Sequence, residues 1–288
     1  MTNNSPNHAI SETMPSMPQR HLRGIEKLSV PLFAWLGKRP WARHLGFWYI
    51  RLVSRPWASS MIYNILDVRG LERIEHLNPS GSVILVANHR SFFDMHVASS
   101  VVVKHCPFVR FLCFPVRANF FYENPIGILL NLVISSGSMW PPLFRDKREG
   151  NLNQIALQQV QYTLKTRGAV VGIHPEGTRN KGSDPYSFLP PRHGIGQVVQ
   201  DAPDQTIVVP FFICGLSNNL LYEAKRNFRR DPTKRGEKIR LTFGEPISVS
   251  ALRQARTTDE IATLLMDRIA LLGAEDKSRR LDTRPTPS

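Results

Sequence analysis

The sequence predicts an α/β fold, in which a mixed, largely parallel β-sheet is flanked by helices and preceded by an N-terminal amphipathic helical hairpin. Three observations lead to this prediction. Apolar runs of strand length alternate with helix-like segments from about residue 71 onward. Two of these runs end directly in short polar motifs, as expected where functional residues lie at strand ends in an open sheet. Ahead of them lies a segment, 21–66, that is rich in tryptophan and arginine.

Size and charge limit the classes of protein to consider. A chain of 288 residues suits one domain of roughly 200 residues with extensions, and a hydrophobic fraction of 42% is enough to fill its core. The net charge of +14 predicts an acidic partner: nucleic acid, an anionic membrane surface or a phosphorylated substrate. Cys106, Cys113 and Cys214 lack the C-x2-C spacing of a zinc site, so we expect buried thiols in a reducing compartment.

Both ends of the chain are predicted to lack a fold of their own. Residues 1–20 are rich in Asn, Ser and Pro, which is typical of a disordered tail. Residues 274–288 are expected to form a flexible basic tail. We identify no signal peptide, and no run reaches the roughly 18 apolar residues of a spanning helix, so we expect the chain to stay on the cytoplasmic side.

The segment 21–66 is predicted to be a pair of helices that docks on a membrane. Four of the five tryptophans lie in it, interleaved with lysine and arginine, and Glu26 is its one acidic residue. These tryptophans are Trp35, Trp41, Trp48 and Trp57. Aromatic rings suit the headgroup depth of a bilayer, and cations suit anionic lipid. Residues 37–40 predict a break between the two helices. A helical layer packed on the sheet is the alternative.

Residues 67–273 are predicted to form the α/β domain itself. Apolar or alternating runs of strand length lie at 82–87, 108–115, 169–173, 206–213 and 238–243. Helix-like segments lie at 92–104, 124–134, 151–167, 193–200 and 259–272. This alternation favours a largely parallel sheet with helices on both faces.

The first polar motif, residues 88–94, supplies a candidate general base. His89 follows the strand at 82–87, and an imidazole can accept a proton from an alcohol near neutral pH. Asp94 is the candidate carboxylate that fixes the tautomer of this base. Because five residues turn through about 140° on a helix, His89 must lie before the helix and Asp94 near its first turn. The alternatives are a chance spacing and a metal site, for which the sequence offers no complete set of ligands.

The second polar motif, residues 174–180, supplies a candidate anion site. Gly177 permits a tight turn close to a ligand, and Arg179 offers a planar fork for a phosphate. Glu176 is expected to hold a substrate hydroxyl. A surface loop with a Glu-Arg pair is the alternative when this motif is considered alone. A base at one strand end and a cationic loop at another together predict acyl transfer onto a phosphorylated alcohol.

The two motifs resemble those of the PlsC-like glycerolipid acyltransferases, which include lysophosphatidic acid and glycerol-3-phosphate acyltransferases. The family's H-x4-D motif matches His89 and Asp94. Its F-P-E-G-T-R motif matches residues 175–179, with His174 at the usual Phe position. Weaker matches follow in the family's order at 192–194, 208–210 and 243–247.

The resemblance implies a function and a set of site residues. His89 and Asp94 would be catalytic, and an acyl-CoA or acyl carrier protein would supply the acyl group without a resident cofactor or metal. The acceptor is expected to be 1-acyl-glycerol-3-phosphate, with glycerol-3-phosphate or an amino-acid or sugar lipid as alternatives. The resemblance implies that the acceptor's phosphate and hydroxyl are bound by Glu176, Gly177, Thr178 and Arg179.

The middle of the chain departs from the family pattern. Asn119 stands where a lysine is usual, and Arg117 is the expected substitute. Arg117 is expected among the acceptor and phosphate ligands, and it could also stabilise the oxyanion or hold the donor. Arg145 is expected to replace the family's phosphate-binding arginine. An apolar groove for the acyl chain could be lined by residues 120–121 or 128–130, although ordinary core packing is the commoner role of such residues.

The expected partners are anionic membrane lipid, the acyl donor and a phosphorylated acceptor lipid, with the protein peripheral on the cytoplasmic face of a membrane. Two other classes are alternatives. A non-catalytic lipid-binding protein would share the segment 21–66 but would not need both polar motifs. A nucleic-acid-binding protein is disfavoured because we find no groove-reading motif in the sequence.

Overall fold

The computed structural model describes residues 13–145 and 150–282. The main sheet has seven strands: β1 (Leu66–Arg69), β2 (Val83–Ala87), β3 (Phe111–Cys113), β6 (Ala169–Ile173), β7 (Ile207–Cys214), β8 (Ile239–Phe243) and β9 (Ile247–Ser248). A separate small sheet is formed by β4 (Val116–Arg117) and β5 (Pro142–Leu143).

The helices lie before, between and after these strands. In chain order they are α1 (Glu26–Lys38), α2 (Pro40–Tyr49), α3 (Arg55–Ile62), α4 (Asp94–His105), α5 (Ala118–Phe121), α6 (Pro125–Ser135), α7 (Gly150–Leu164), α8 (His193–Gln200), α9 (Leu220–Arg226), α10 (Val249–Leu252) and α11 (Thr258–Asp282). A π-helical stretch, Ile50–Ser54, joins α2 to α3.

The main sheet is mixed and largely parallel, which confirms the predicted fold class. Its strands lie in the order β1-β8-β7-β2-β6-β3, with β9 beside β7. β2 pairs in parallel with both β6 and β7, whereas β7 runs antiparallel to β8 and β9. Because Val86 is in register with Ile173, the carboxyl ends of β2 and β6 meet at one edge of the sheet.

Both faces of the sheet are covered, and this explains the continuous apolar runs of its central strands. Along β2, Val83, Leu85 and Ala87 belong to one buried cluster, together with side chains of α1, α2 and α4. The alternating residues Ile84 and Val86 belong to a second cluster, which includes α8 and α11.

Four strands were missed and one predicted strand is shorter than expected. β1 crosses the boundary between the segment 21–66 and the domain, and β4, β5 and β9 are only two residues long, with a proline in β5. The run 108–115 is extended only over Phe111–Cys113. Pro115 ends it, because proline has no N–H for the ladder.

The ends of the chain correct two expectations. Residues 13–20 are not a disordered tail: Met14 and Met17 are buried, and Gln159 donates to the carbonyl of Pro15 at 2.8 Å. Residues 274–282 are not a flexible tail, because α11 continues to Asp282. Buried Asp276 accepts a hydrogen bond from Tyr186 at 2.9 Å and holds this last part of the helix. The remaining parts of both predicted tails, 1–12 and 283–288, lie outside the described residues.

The N-terminal hairpin forms as predicted. Arg39 is extended between α1 and α2, and Pro40 starts the second arm, where its missing N–H costs no helical hydrogen bond. The inner side of the hairpin is part of the core, with Val30, Phe33 and Phe47 buried. Hydrogen bonds from Ser29, Tyr49 and Ser54 to backbone carbonyls of residues 122–134 attach it to the domain. In the described part of the chain, no helix is both long enough and apolar enough to cross a bilayer.

The cysteines are placed as expected. Cys106, Cys113 and Cys214 are all buried and free. Burial raises the pKa of each of these thiols to about 12, so they behave as small apolar residues of the core.

Candidate active site

The two polar motifs come together at the edge of the sheet where β2 and β6 end. The backbone N–H of Asn180 donates to the carbonyl of His89 at 2.7 Å. The backbone N–H of His89 donates to Glu176 Oε2 at 3.0 Å. Asn88, fully buried, clamps the first motif to β7 by exchanging hydrogen bonds with the backbone of Ile213 at 2.8 and 2.9 Å. The sequence prediction that both motifs form one site is consistent with this placement.

His89 and Asp94 form a hydrogen-bonded pair. His89 Nδ1 lies 3.1 Å from Asp94 Oδ2, and His89 precedes α4 while Asp94 is its first residue, as the five-residue spacing required. Asp94 Oδ2 also accepts from the backbone N–H groups of Arg90 at 2.8 Å and Ser91 at 2.7 Å. A carboxylate that accepts from Nδ1 leaves Nε2 of His89 as the nitrogen able to take a proton.

The protonation states of the pair follow from burial. Desolvation raises the pKa of Asp94 to about 6, although nearby His174 and the N–H groups of Ser91 and Arg90 oppose the rise. Burial lowers the pKa of His89 to about 3, with the charge of Arg179 acting in the same direction. At neutral pH the pair is therefore an ionised carboxylate and a neutral imidazole, which is the state that a general base requires.

His174 supports the ring of His89. The two imidazoles stack with centroids 3.9 Å apart and planes 8° from parallel. His174 Nδ1 lies 3.1 and 2.9 Å from the carbonyl oxygens of Ala87 and Asn88, so it must carry the proton and donate. Burial lowers the pKa of His174 to about 3 and keeps it neutral. Sequence reasoning noted this histidine at the Phe position of the motif but gave it no role.

The structure corrects the role expected for Glu176. Its side chain is only 1% exposed, and besides the bond to His89 it accepts from the N–H of Leu189 at 3.1 Å. Both carboxylate oxygens are therefore used by the backbone, and Glu176 joins the two motifs instead of holding a substrate hydroxyl. Gly177 has φ +63°, a left-handed conformation that strains residues with a Cβ.

The small sheet of β4 and β5 brings two arginines to the second motif. Arg117 ends β4, and Arg145 follows β5, which pairs in parallel with β4. Both guanidinium groups donate to Thr178 Oγ1, at 2.7 Å from Arg117 and 3.1 Å from Arg145. The three residues expected to bind an acceptor phosphate therefore form one cluster, although they come from segments 61 and 33 residues apart.

Arg179 lies on the other side of the same loop. It donates to Asn218 Oδ1 at 2.6 Å, and its charge affects the pKa of His89. Asn218 Oδ1 also accepts from the N–H of Phe92 at 3.2 Å, so it connects the two motifs. Sequence reasoning missed Asn218, because an asparagine in a loop carries no motif of its own.

A cavity of about 660 Å³ opens beside these side chains. The residues of the two motifs and of β4 that line it include His89, His174, Gly177, Arg179 and Arg117. Its apolar walls come from α3, α4, α5 and α6, and include Trp57, Met61, Phe120, Phe121 and Leu130. Phe120, Phe121 and Leu130 belong to the two ranges considered for an acyl groove, and in the structure they line this cavity.

The cluster of His89, Asp94 and His174 does not fit a metal ion. Their ligand atoms lie within 4.8 Å of one another. However, the two imidazoles stack nearly parallel, so their in-plane lone pairs cannot converge on one point. His174 Nδ1 and Asp94 Oδ2 are also already committed to hydrogen bonds. The geometry suits proton transfer at His89.

Comparison with known proteins decides the family. Residues 66–214, which are just over half of the chain, match the family model described as Acyltransferase. The chain belongs to the acyltransferase family. This result confirms the resemblance seen in the motifs, and the matched region contains both motifs and the cluster of Arg117, Arg145 and Thr178.

A solved structure shares the fold of this acyltransferase. It is the 1-acyl-sn-glycerophosphate (LPA) acyltransferase PlsC from Thermotoga maritima, matched with a TM-score of 0.50 over 93% of this chain and 87% of that chain. The two sequences are 16% identical, so the match concerns the fold. A search of curated proteins gave no match.

Proposed function

We propose that this acyltransferase moves a fatty acyl group from acyl-CoA or acyl carrier protein to a hydroxyl of a phosphorylated glycerolipid, most simply 1-acyl-glycerol-3-phosphate. The observation that carries the proposal is the His89–Asp94 pair, 3.1 Å apart, with His89 in the lining of a cavity that Arg117, Arg179 and many apolar side chains also line. A base, an anion site and an apolar channel are the three parts that such a transfer requires.

The reaction assigned to this site needs no covalent enzyme intermediate. Nε2 of His89 takes the proton of the acceptor hydroxyl as its oxygen attacks the thioester carbonyl. The C–O bond forms, the C–S bond breaks, and the departing thiolate recovers the proton from His89. Asp94 holds the ring in the right tautomer and stabilises the transient imidazolium, as a buried carboxylate does in other base-orienting pairs.

Positioning of the acceptor is assigned to the arginines. Two of these arginines, Arg117 and Arg145, donate to Thr178, and the third is the next residue, Arg179. None of the three forms an ion pair within the described residues. Guanidinium groups that lack a carboxylate partner suit a phosphate dianion, which can accept several charge-assisted hydrogen bonds. Holding the phosphate there places the acceptor hydroxyl near His89, and such positioning is a large part of catalysis in bimolecular transfers.

We also propose that the enzyme works on the surface of a membrane, on its cytoplasmic face. Of nineteen exposed large hydrophobic side chains in the described part of the chain, ten lie between residues 28 and 63 and five between 120 and 133. Leu28, Leu45 and Leu52 are more than 60% exposed although they belong to helices packed on the domain. The hairpin and α6 therefore offer one apolar surface next to the cavity, which suits both docking and direct uptake of lipid substrates.

The test of the proposed reaction is transfer of a labelled acyl group. Purified enzyme is given acyl-CoA or acyl carrier protein with 1-acyl-glycerol-3-phosphate, glycerol-3-phosphate, and amino-acid or sugar lysolipids. His89→Ala should lower kcat by about 10²–10⁴ with KM little changed, the usual contribution of a general base. Transfer by His89→Ala at the wild-type rate would show that another group is the base. A strong preference for an acceptor without phosphate would contradict the assigned substrate.

A further inference from the structure

A second amphipathic surface lies outside the hairpin and α6, on α9 and the segment that follows. Two of the exposed large hydrophobic side chains lie here, Leu221 with 68% exposure and Phe228 with 62%. We call residues 225–240 the basic segment. It contains eight Lys and Arg and two Asp and Glu, so its net charge is +6.

Most of the cations of the basic segment face solvent. Arg226 is buried and paired with Glu223 at 2.8 Å, and Arg240 is half-buried beside Asp276. The exposed cations are Lys225, Arg229, Arg230, Lys234 and Lys238. Two of them are adjacent to Phe228 on the side where the chain leaves α9.

This surface is continuous with the hairpin. Buried Asn227 donates to the carbonyl of Ser60 at 2.6 Å and accepts from the N–H of Asn64 at 2.7 Å. Phe228 directly follows Asn227, and Tyr63, which is 81% exposed, directly precedes Asn64. The hydrogen bonds therefore join the two exposed aromatic residues to neighbouring backbone positions.

The same element also holds the active-site loop. Glu223 of α9 accepts from the N–H of Ser217 at 2.8 Å, and the carbonyl of Ser217 accepts from Ser91 of the catalytic motif at 2.7 Å. Asn218, next in the loop, binds Arg179. α9 therefore lies beside the cavity, which Glu223 and Asn218 help to line.

We propose that α9 and the basic segment form a second membrane-docking surface, which prefers anionic bilayers, beside the cavity. Phe228 and Leu221 enter the interface, while Arg229 and Arg230 bind lipid phosphates. An exposed phenylalanine followed by two exposed arginines, continuous with the aromatic end of the hairpin, is the pattern of an interfacial anchor. The inference rests on the proposed acyltransferase function only in that its substrates are membrane lipids.

The test compares binding of the full-length protein to vesicles of phosphatidylcholine alone and of phosphatidylcholine mixed with phosphatidylglycerol. The double substitution Arg229→Glu/Arg230→Glu should weaken binding to the anionic vesicles at least about tenfold, because each cation near an anionic surface contributes about a factor of 5. Binding of this variant to neutral vesicles should not change. The double substitution Leu221→Ala/Phe228→Ala should weaken binding to both kinds of vesicle.

Matched controls lie on and just before α11, whose buried side chains pack on the opposite face of the sheet from the hairpin. Leu264 and Leu271 of α11 are exposed by 44% and 61%, and Arg256 and Arg268 are exposed cations. The same changes at these positions should leave vesicle binding as in wild type. All variants should transfer acyl groups between dissolved short-chain substrates at the wild-type rate, which shows that they are folded.

Three outcomes would overturn the inference. The first is unchanged vesicle binding by both α9 double variants. The second is an equal loss in the α11 controls, which would make the effect one of general charge and apolarity. The third is that the α9 double variants keep vesicle binding but lose acyl transfer when acyl carrier protein is the donor, and only then. That result would assign the surface to binding of the acidic carrier protein. Because vesicle binding requires no turnover, failure of the proposed reaction would leave these readouts intact.

Discussion

At the scale of single residues, the site depends on three groups whose protonation is controlled by burial. Asp94 is fully buried and keeps a raised pKa, His89 is held neutral, and His174 stacks on it without titrating near neutral pH. A neutral imidazole with Nδ1 bonded to a carboxylate is ready to accept a proton at Nε2. The pair titrates as a unit, so its macroscopic behaviour belongs to both groups.

The ionised carboxylate of Asp94, which the proposed reaction needs, should lower the free energy of unfolding. Its folded pKa of about 6 exceeds the ordinary value of 3.8, so the charged form is disfavoured in the folded protein. Below pH 4 the carboxyl is protonated in both states and the penalty is absent. Above pH 6 it is ionised in both, and the penalty approaches about 3 kcal/mol at 1.36 kcal/mol per pKa unit.

Asp94→Asn should therefore inactivate the enzyme yet unfold at higher denaturant concentration than wild type at pH 7. The difference in unfolding free energy should reach at most about 3 kcal/mol and vanish below pH 4. Denaturant unfolding at a series of pH values measures it. A variant that is less stable than wild type at pH 7 would show that the carboxylate stabilises the fold. In wild type, kcat/KM should fall as the pH decreases through about 6, because Asp94 becomes protonated.

Substitutions of His174 can separate the effect of its stacking on His89 from the effect of its hydrogen bonds to the backbone. His174→Phe keeps an aromatic face on His89 but removes the donor to the carbonyls of Ala87 and Asn88. His174→Ala removes both. We expect the Phe variant to keep most of kcat and to lose about 1–3 kcal/mol of stability, because two buried carbonyls lose their donor. The Ala variant should also lose kcat. Equal kcat in the two variants would indicate that stacking does not position His89.

At the scale of elements, the small sheet of β4 and β5 aligns the cluster of Arg117, Arg145 and Thr178, for which we propose binding of the acceptor phosphate. It is only two residues long on each strand, yet it aligns Arg117 and Arg145 on one threonine. The sequence suggested each arginine separately, as a substitute for a missing family residue. Their convergence depends on the parallel pairing of β4 with β5, in which Val116 is in register with Pro142, 26 residues further along the chain. No local sequence pattern specifies this pairing.

Loss of this cluster should appear in acceptor binding. Arg117→Ala and Arg145→Ala should each raise the KM for a phosphorylated acceptor by about 10- to 150-fold, since a hydrogen bond to a charged group contributes about 1.5–3 kcal/mol. The KM for the acyl donor should stay unchanged. Steady-state kinetics in which the concentrations of both substrates are varied measures the two KM values separately. Arg256→Ala, an exposed arginine next to α10, is the control. A rise in donor KM alone would place the donor's phosphates at this cluster.

The inner side of the hairpin is core and its outer side is exposed, and membrane docking is the function proposed for the outer side. Removing the whole segment would also remove the buried side chains Val30, Phe33 and Phe47 and leave their neighbours in the core exposed. Point substitutions are therefore the sharper test. Leu28→Ser/Leu45→Ser/Leu52→Ser changes three side chains that are 74%, 61% and 65% exposed. Vesicle cosedimentation should decrease at least about tenfold, in line with loss of buried apolar area at an interface.

The fold and the chemistry of the hairpin variant should stay intact. Transfer between dissolved short-chain substrates is expected at the wild-type rate. Leu271→Ser on α11, at 61% exposure, is the matched control and should bind vesicles normally. Wild-type binding by the triple variant would contradict docking through the hairpin.

At the scale of the whole molecule, charge and apolar surface are unevenly arranged. A net charge of +14 is combined with exposed large hydrophobic side chains that, among the residues described, lie on the segment 21–66, α5, α6, α9 and the basic segment, apart from two on α11. The cavity opens among these same elements. A lipid substrate could therefore pass from a bilayer to His89 without crossing water, which is a physical reason for an enzyme of this kind to dock.

The amino-acid sequence by itself determined those features that depend on residues close together in the chain. Apolar runs predicted the central strands, residues 37–40 predicted the break in the hairpin, and the spacing of His89 and Asp94 predicted a base before a helix and a carboxylate at its start. Each depends on neighbours in the chain, through strand burial, proline geometry or helix periodicity.

Only the tertiary structure decided which distant groups meet. It turned Glu176 from a substrate ligand into a link between motifs, brought Arg117 and Arg145 to Thr178, and placed Asn218 between the two loops. It also extended α11 through the predicted flexible tail, because Asp276 is buried against Tyr186. These contacts join residues that are far apart in the sequence, and their free energy comes from strand pairing and burial that no local pattern encodes.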